Sequence, residues 1–346
     1  MRAVVYEATG VMPAVTQVAE PACPPGGVVI RVGATGLCRS DWHAWKGSEI
    51  VRLPHTPGHE LAGTIAQTGP EVTKWQPGRR VTVPFVCGCG TCEYCLAGDP
   101  QVCPDQTQPG FTGPGSFAEL VVIHAADANL VALPESVAFT DAAILGCRFA
   151  TAFRAVTAHG RVQAGDWLAV HGCGGVGLSA VHIGAALGAR VIAVDIAAAA
   201  LGRARELGAA VTIDGRDHPD TAAAITELTG GGAQVSVDAA GSAPTAVASV
   251  RCLRRRGRHV QAGLLHGAAA IPPLPMDLAI ARELEIHGTH GMAARDYPAM
   301  LEMITAGQLS PGLLTGEVIG LDDAPAALAA MGRPAGAGVT IIDMSG

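Results

Sequence analysis

Short apolar runs alternating with polar residues open the chain at residues 2–6 and 28–32, and Pro21, Pro24, Pro25 and the Gly26-Gly27 pair between them read as turn. The same strand-like pattern returns at 61–68, 80–84 and 121–123, and 127–134 reads as one more strand and turn. These segments predict an antiparallel, turn-rich β domain over residues 1–150. Beyond Cys147 the period changes. Residues 151–158 carry a helical pattern, Gly165-Asp166 turns, and the unbroken apolar run 167–170 fits a strand buried on both faces of a parallel sheet. Further on, helices at 178–187, 221–228 and 245–253 are interleaved with strands at 191–194, 211–213, 235–239 and 257–264. That alternation predicts a doubly wound parallel sheet over 151–288. From 284–288 the chain leaves it into a helix at 297–306 and a β-rich close at 316–343, and residues 289–346 are expected to rejoin the first domain. The expected class is α/β, in two domains.

Composition narrows the function. The 346 residues, 49% of them hydrophobic, supply two cores. Only 15% are charged and the net charge is -7, which argues against a nucleic-acid partner. The cluster Arg254-Arg255-Arg256-Gly257-Arg258 reads as a solvated turn. The chain enters strand alternation at once, without the apolar core and cleavage site of a signal peptide, and every apolar run is interrupted before bilayer length. A cytoplasmic protein with no membrane partner is expected. In that compartment the ten cysteines are metal ligands or buried thiols before they are disulfides.

Three groups of residues carry candidate chemistry. Cys38 in Gly36-Leu37-Cys38-Arg39-Ser40-Asp41-Trp42-His43, His59 in Gly58-His59-Glu60, and Cys147 are too far apart to share one helical face, but if the fold gathers them they form a Cys/His/Cys set that leaves a tetrahedral zinc one open position. Asp41 is placed either to orient the imidazole or simply as a charge at a helix N-terminus. Cys89, Cys92, Cys95 and Cys103 share one glycine- and proline-rich loop, and four thiols so spaced make a closed, structural zinc site. Cys87 competes as a ligand, but Cys89 keeps the even spacing. Third, Gly172-Cys173-Gly174-Gly175-Val176-Gly177 lies between a strand and a helix, and the next strand ends in Asp195. This is a dinucleotide-binding fingerprint: Gly172 turns, Gly174 admits the pyrophosphate, Gly177 lets helix and strand pack, and the helix N-terminus faces the phosphates. Asp195 hydrogen-bonds ribose hydroxyls and repels a 2′-phosphate, which favours NAD over NADP. Gly241 and the Gly263-Leu264 pair read either as the lining of the nicotinamide end or as plain turns.

The segment Gly58-His59-Glu60-Leu61-Ala62-Gly63, followed by Gly69 and Val72, is similar residue by residue to a known zinc signature. With the other motifs, nearly the whole chain resembles the zinc-dependent alcohol dehydrogenases of the medium-chain dehydrogenase/reductase family. The resemblance implies a GroES-like catalytic domain around a Rossmann domain, and two Zn²⁺ per subunit. It makes Cys38, His59 and Cys147 the catalytic ligands, with Glu60 able to approach the metal. It implies a proton relay through Ser40, the cofactor ribose and His43, a nicotinamide contact at Thr151 and a pyrophosphate contact at Arg39. The expected reaction oxidises an alcohol, primary and possibly aromatic, through a zinc-held alkoxide that gives hydride to NAD. Trp45, Phe111 and Phe149 are candidates for an apolar pocket lining or for ordinary core. The family often carries an Arg in a Gly-Arg-x-Val setting near the C-terminus; here Gly336-Ala337-Gly338-Val339 lacks it, and Arg333 is the candidate substitute. The chain also lacks the long insertion after the cysteine loop found in the dimeric higher-eukaryotic members, and by analogy with the compact bacterial members the resemblance implies a homotetramer. A polyol or other secondary-alcohol dehydrogenase is the nearest alternative, opposed by Cys147 where a carboxylate usually stands. A zinc-free quinone reductase is opposed by Cys38 and the cysteine loop. A non-catalytic NAD-binding scaffold or redox sensor is opposed by Ser40 and His43.

Overall fold

The ten-residue strand Val28–Leu37 is the axis of the first unit, buried along nearly all its length. A computed structural model describes residues 1–332 and 338–345, and the chain divides into one unit of Met1–Ala150 with a return segment from Gly291, and another of Thr151–His290. In the first, Val28–Leu37 pairs antiparallel with Leu61–Thr68, with Leu120–Ile123 and with Val339–Asp343. The sheet runs Thr315–Ile319, Val339–Asp343, Val28–Leu37, Leu61–Thr68, Arg80–Thr82, Val131–Ala132. Val28, Ile30, Val32, Leu61, Ile65, Val81, Val121 and Ile123 form its core. All but Leu61 are β-branched, and such residues suit a pleated surface packed on its neighbours. Gly36 interrupts the apolar series for a reason: a Cβ there would lie 2.5 Å from Glu60 Oε2 and 2.8 Å from Arg148 Nη2.

The second unit is an all-parallel sheet in the order Val211–Asp214, Arg190–Asp195, Trp167–His171, Ala233–Asp238, Leu253–Gln261, Glu285–Gly288. In chain order that is 3-2-1-4-5-6, the doubly wound arrangement whose crevice opens between the first and fourth strands at their C-terminal ends. Tight apolar strands such as Trp167–His171, of which four residues are buried, account for the long unbroken runs in the sequence.

Several segments differ from expectation. Residues 127–134 hold a one-turn helix, Ala126–Asn129, and only a two-residue strand, Val131–Ala132. Local polar bonds win there: Asp127 accepts from the backbone N–H groups of Thr73 and Lys74, and Asn129 bonds both the N–H and the carbonyl of Gly88. Arg254 to Arg256 are exposed, but belong to the strand Leu253–Gln261 rather than to a turn, with an irregular pairing register before Arg258 and Arg256 at φ 59. The helix expected at 245–253 is Ala243–Arg251, started by a reciprocal Ser242/Thr245 cap. The closing segment is interrupted by a helix, Ala324–Ala330. Arg333 and the Gly336-Ala337 pair lie outside the described residues.

Candidate active site

Cys38 follows the axial strand and caps the helix Arg39–Lys46, which stops at Gly47 in the left-handed region, φ 87. Asp41, in the first turn and fully buried, reaches both the helix start and the imidazole. Its Oδ2 accepts from the Cys38 N–H at 3.0 Å; its Oδ1 accepts from the Gly58 N–H at 3.0 Å and meets His59 Nδ1 at 2.9 Å. Gly58 itself has φ 108, and a Cβ there would meet the Phe117 ring at 2.5 Å. With Nδ1 committed to Asp41, His59 Nε2 is buried and has no hydrogen-bond partner among the described residues. It is the atom left to bind a ligand.

Around it the donor atoms of Cys38, His59, Glu60 and Cys147 all lie within 4.8 Å of one another. Cys38, His59 and Glu60 are buried and Cys147 is half-buried. The hydrogen bond shared with Cys147 holds the Cys38 thiol well below its usual range against the effect of burial, helped by Arg148 and His59, while that same bond and burial push Cys147 well above it. Burial alone would favour neutral His59, but Asp41 and the Cys38 thiolate outweigh it and hold the imidazole well above its ordinary value. For Glu60 burial outweighs the nearby Arg148 charge and raises the carboxyl. Two thiols and one open imidazole nitrogen fit a zinc ion with one tetrahedral position left over, and the Glu60 carboxylate is a fourth donor within reach of it.

The second thiol group is equally compact: Cys89, Cys92, Cys95 and Cys103 bring their sulfurs within 4.8 Å of one another. Backbone N–H groups point at the sulfurs, Cys92 N–H to Cys89 Sγ at 3.3 Å and Cys89 N–H to Cys103 Sγ at 3.3 Å. The N–H and hydroxyl of Thr91 hold the Cys89 thiol down at about 6. This set fits a closed four-thiolate site. Cys87 is separate: buried, its S–H donates to the Pro84 carbonyl at 3.4 Å, and burial pushes it up to about 12.

Ser40 Oγ lies 3.9 Å from Cys38 Sγ, and His43 shares its helix and meets the Trp42 ring edge-on at 5.2 Å. Arg39 donates to the Met331 carbonyl at 3.4 Å and sits over Trp42. Phe111 lies 5.0 Å and Phe85 6.0 Å from the His59 ring, centroid to centroid. Trp45 and Phe149 are core residues, Trp45 donating to the Val11 carbonyl. Two residues beside the donors escaped sequence reasoning, Phe85 and Arg148. A charge directly after Cys147 in an otherwise apolar run was the signal for the second.

In the second unit Gly172 has φ 91, a Cβ on Gly174 would meet nothing within 4 Å, and one on Gly177 would collide with the Gly172 carbonyl. Those are the three properties a phosphate-binding turn needs before the helix Gly175–Ala186, whose first residues are Gly175, Val176 and Gly177. Asp195 is held at its strand end by accepting from the Cys173 N–H at 2.6 Å and the Ala197 N–H at 2.8 Å. Gly241, at φ 74, is pressed against Gly263 and Leu264, and Asp238 ties the two loops by accepting from the Gly241 N–H and from Gln261 Nε2. Thr151 is buried.

A gathered Cys/His/Cys donor set, a closed four-thiol cluster and a doubly wound sheet with a glycine corner define a metal-dependent oxidoreductase. The comparisons with known proteins agree. Residues 24–135 match the alcohol dehydrogenase GroES-like domain and residues 175–306 the zinc-binding dehydrogenase domain. An alcohol dehydrogenase of Geobacillus stearothermophilus is 33% identical over 298 residues, covering 85% of this chain and 86% of that protein. Among solved structures, one titled NAD-dependent alcohol dehydrogenase superposes with TM-score 0.89 at 31% identity over 100% of both chains, and the alcohol dehydrogenase TADH from Thermus sp. ATN1 with TM-score 0.91 at 28% identity over 99% of both. The chain belongs to the zinc-binding alcohol dehydrogenases of the medium-chain dehydrogenase/reductase family.

Proposed function

We propose that this protein interconverts a primary alcohol and its aldehyde with NAD(H), carrying two zinc ions per subunit. Cys38, His59 and Cys147 hold the catalytic ion with Glu60 alongside; Cys89, Cys92, Cys95 and Cys103 hold the structural one. The observation that carries the reading is the convergence of the first four donors within 4.8 Å, with one imidazole nitrogen unpaired. Bound zinc supplies a Lewis acid for the alcohol or carbonyl oxygen, and bound nicotinamide supplies the hydride acceptor.

The side chains supply position, proton traffic and dryness. Asp41 fixes the His59 tautomer and its direction. Ser40 and His43, one helical turn apart, take the alcohol proton and release it to solvent. Phe85 and Phe111 exclude water beside His59, and their rings favour an aromatic substrate. Gly172, Gly174, Gly175, Val176 and Gly177 cradle the pyrophosphate, with Arg39 as a further contact, and Asp195 selects NAD. Thr151, Gly241, Gly263 and Leu264 flank the nicotinamide. The working assembly is a cytoplasmic homotetramer. No described helix is long and apolar enough to cross a membrane, and none of the ten cysteines is in a disulfide.

A metal count joined to turnover tests this. Cys38→Ala should lose one of two zinc ions per subunit together with oxidation of an alcohol panel followed at the nicotinamide absorbance. Undiminished turnover would refute the ligand assignment.

A further inference from the structure

Arg148 touches all three segments that bring a proposed ligand to the site. Its Nε donates to Glu60 Oε1 at 2.9 Å, its Nη2 pairs with Glu60 Oε2, and its backbone N–H also donates to Glu60 Oε1 at 2.9 Å. Its Nη1 donates to the Leu37 carbonyl at 3.1 Å. Leu37 precedes Cys38, Glu60 follows His59, and Arg148 follows Cys147, so each bond lies one residue from a ligand. The pair is buried, Arg148 at 7% exposure and Glu60 at 0%. Water cannot take over either partner's bonds there. Gly36 supplies the space, since any side chain at that position would strike both members.

Glu60 is also close enough to the two thiols and the imidazole to compete for the metal. Both of its oxygens are engaged by a planar guanidinium fork, a geometry that the point charge of a lysine does not reproduce. We propose that Arg148 is a positioning residue that holds the three ligand-bearing segments together ahead of metal binding and keeps the Glu60 carboxylate turned away from the position kept for substrate. The inference rests on the ligand assignment made above.

The test follows metal release rather than turnover. Holoenzyme is challenged with a chelator, and the catalytic phase of zinc release is identified as the one absent from Cys38→Ala. Arg148→Met should release that zinc roughly 10- to 100-fold faster, the loss expected when a group orienting ligands is removed, while the four-cysteine phase stays unchanged. Arg148→Lys should rescue only part of the rate. The double variant Arg148→Met/Glu60→Gln leaves no unpaired buried charge, so it carries the test should the single variant fail to fold; it too should release zinc fast. With cobalt in the catalytic site, Arg148→Met should alter the visible ligand-field bands as Glu60 swings onto the metal, and adding Glu60→Gln should restore them. Unchanged release and unchanged bands in both variants, with Cys38→Ala still losing its metal, would overturn the positioning role and leave the ligands standing. A Cys38→Ala protein that keeps both metals would overturn both.

Discussion

Asp41 shows how much a single residue settles. Its two oxygens accept two backbone N–H bonds and face one imidazole nitrogen, so the helix start, the Gly58 turn and the His59 tautomer are fixed together. Asp195 is anchored in the same manner, by two backbone N–H groups, and the proposed choice of NAD rests on its charge. Asp195→Gly should therefore raise kcat/KM with NADP relative to NAD by about tenfold or more, the effect of removing about 1.4 kcal/mol of charge repulsion; an unchanged ratio would remove the proposed selection. Cys38, His59 and Cys147 were legible as candidates because thiols and imidazoles stand out in a chain with few charges. Arg148 was not, because its partners Glu60 and Leu37 lie 88 and 111 residues away, and nothing local says that a buried guanidinium will find them.

Among the elements, the cysteine loop has little apolar material of its own; the helix Glu93–Ala97 within it buries no residue. Its order depends on the sulfurs and on Asn129 gripping Gly88. Cys95→Ser should lose one zinc and lower the melting temperature by several degrees, the response of a domain of this size to a few kcal/mol; a variant that keeps its stability without that metal would contradict the stapling role. The parallel sheet carries a different sensitivity. His171 and His259 stand on strands either side of Ala233–Asp238, and burial pushes them down to about 3 and about 4. Their folded values lie below the ordinary one, so the fold favours the neutral rings. That stability is complete above about pH 6.5 and is lost as pH falls toward the folded values, at about 1.4 kcal/mol per pH unit for each ring. Melting temperatures between pH 7 and pH 5 should fall more steeply for the wild-type protein than for His171→Leu/His259→Gln, and parallel curves would contradict this. Strand positions were readable where apolar runs were long, as at Trp167–His171. Residues 127–134 misled because side-chain bonds from Asp127 and Asn129, invisible to periodicity, displaced the ladder.

At the scale of the whole molecule, the alternation of strand and helix announced a doubly wound sheet, but not its order, which depends on contacts far apart in the chain. The second unit leaves Glu285–Gly288 as an edge strand, and Ile271, Met276, Ile280 and Ile286 near it in sequence are exposed. The homotetramer proposed above needs surface of this kind for contacts between copies; sedimentation should find four copies together, and a monomer or dimer at micromolar concentration would contradict that proposal. The central claim concerns one ion held by three distant side chains. Anomalous diffraction from crystals of the zinc-loaded protein, recorded on both sides of the zinc edge, addresses it directly. Two peaks per chain are predicted, one bounded by Cys38, His59 and Cys147 and one by the four loop thiols; a map with no peak at the first position would contradict the account.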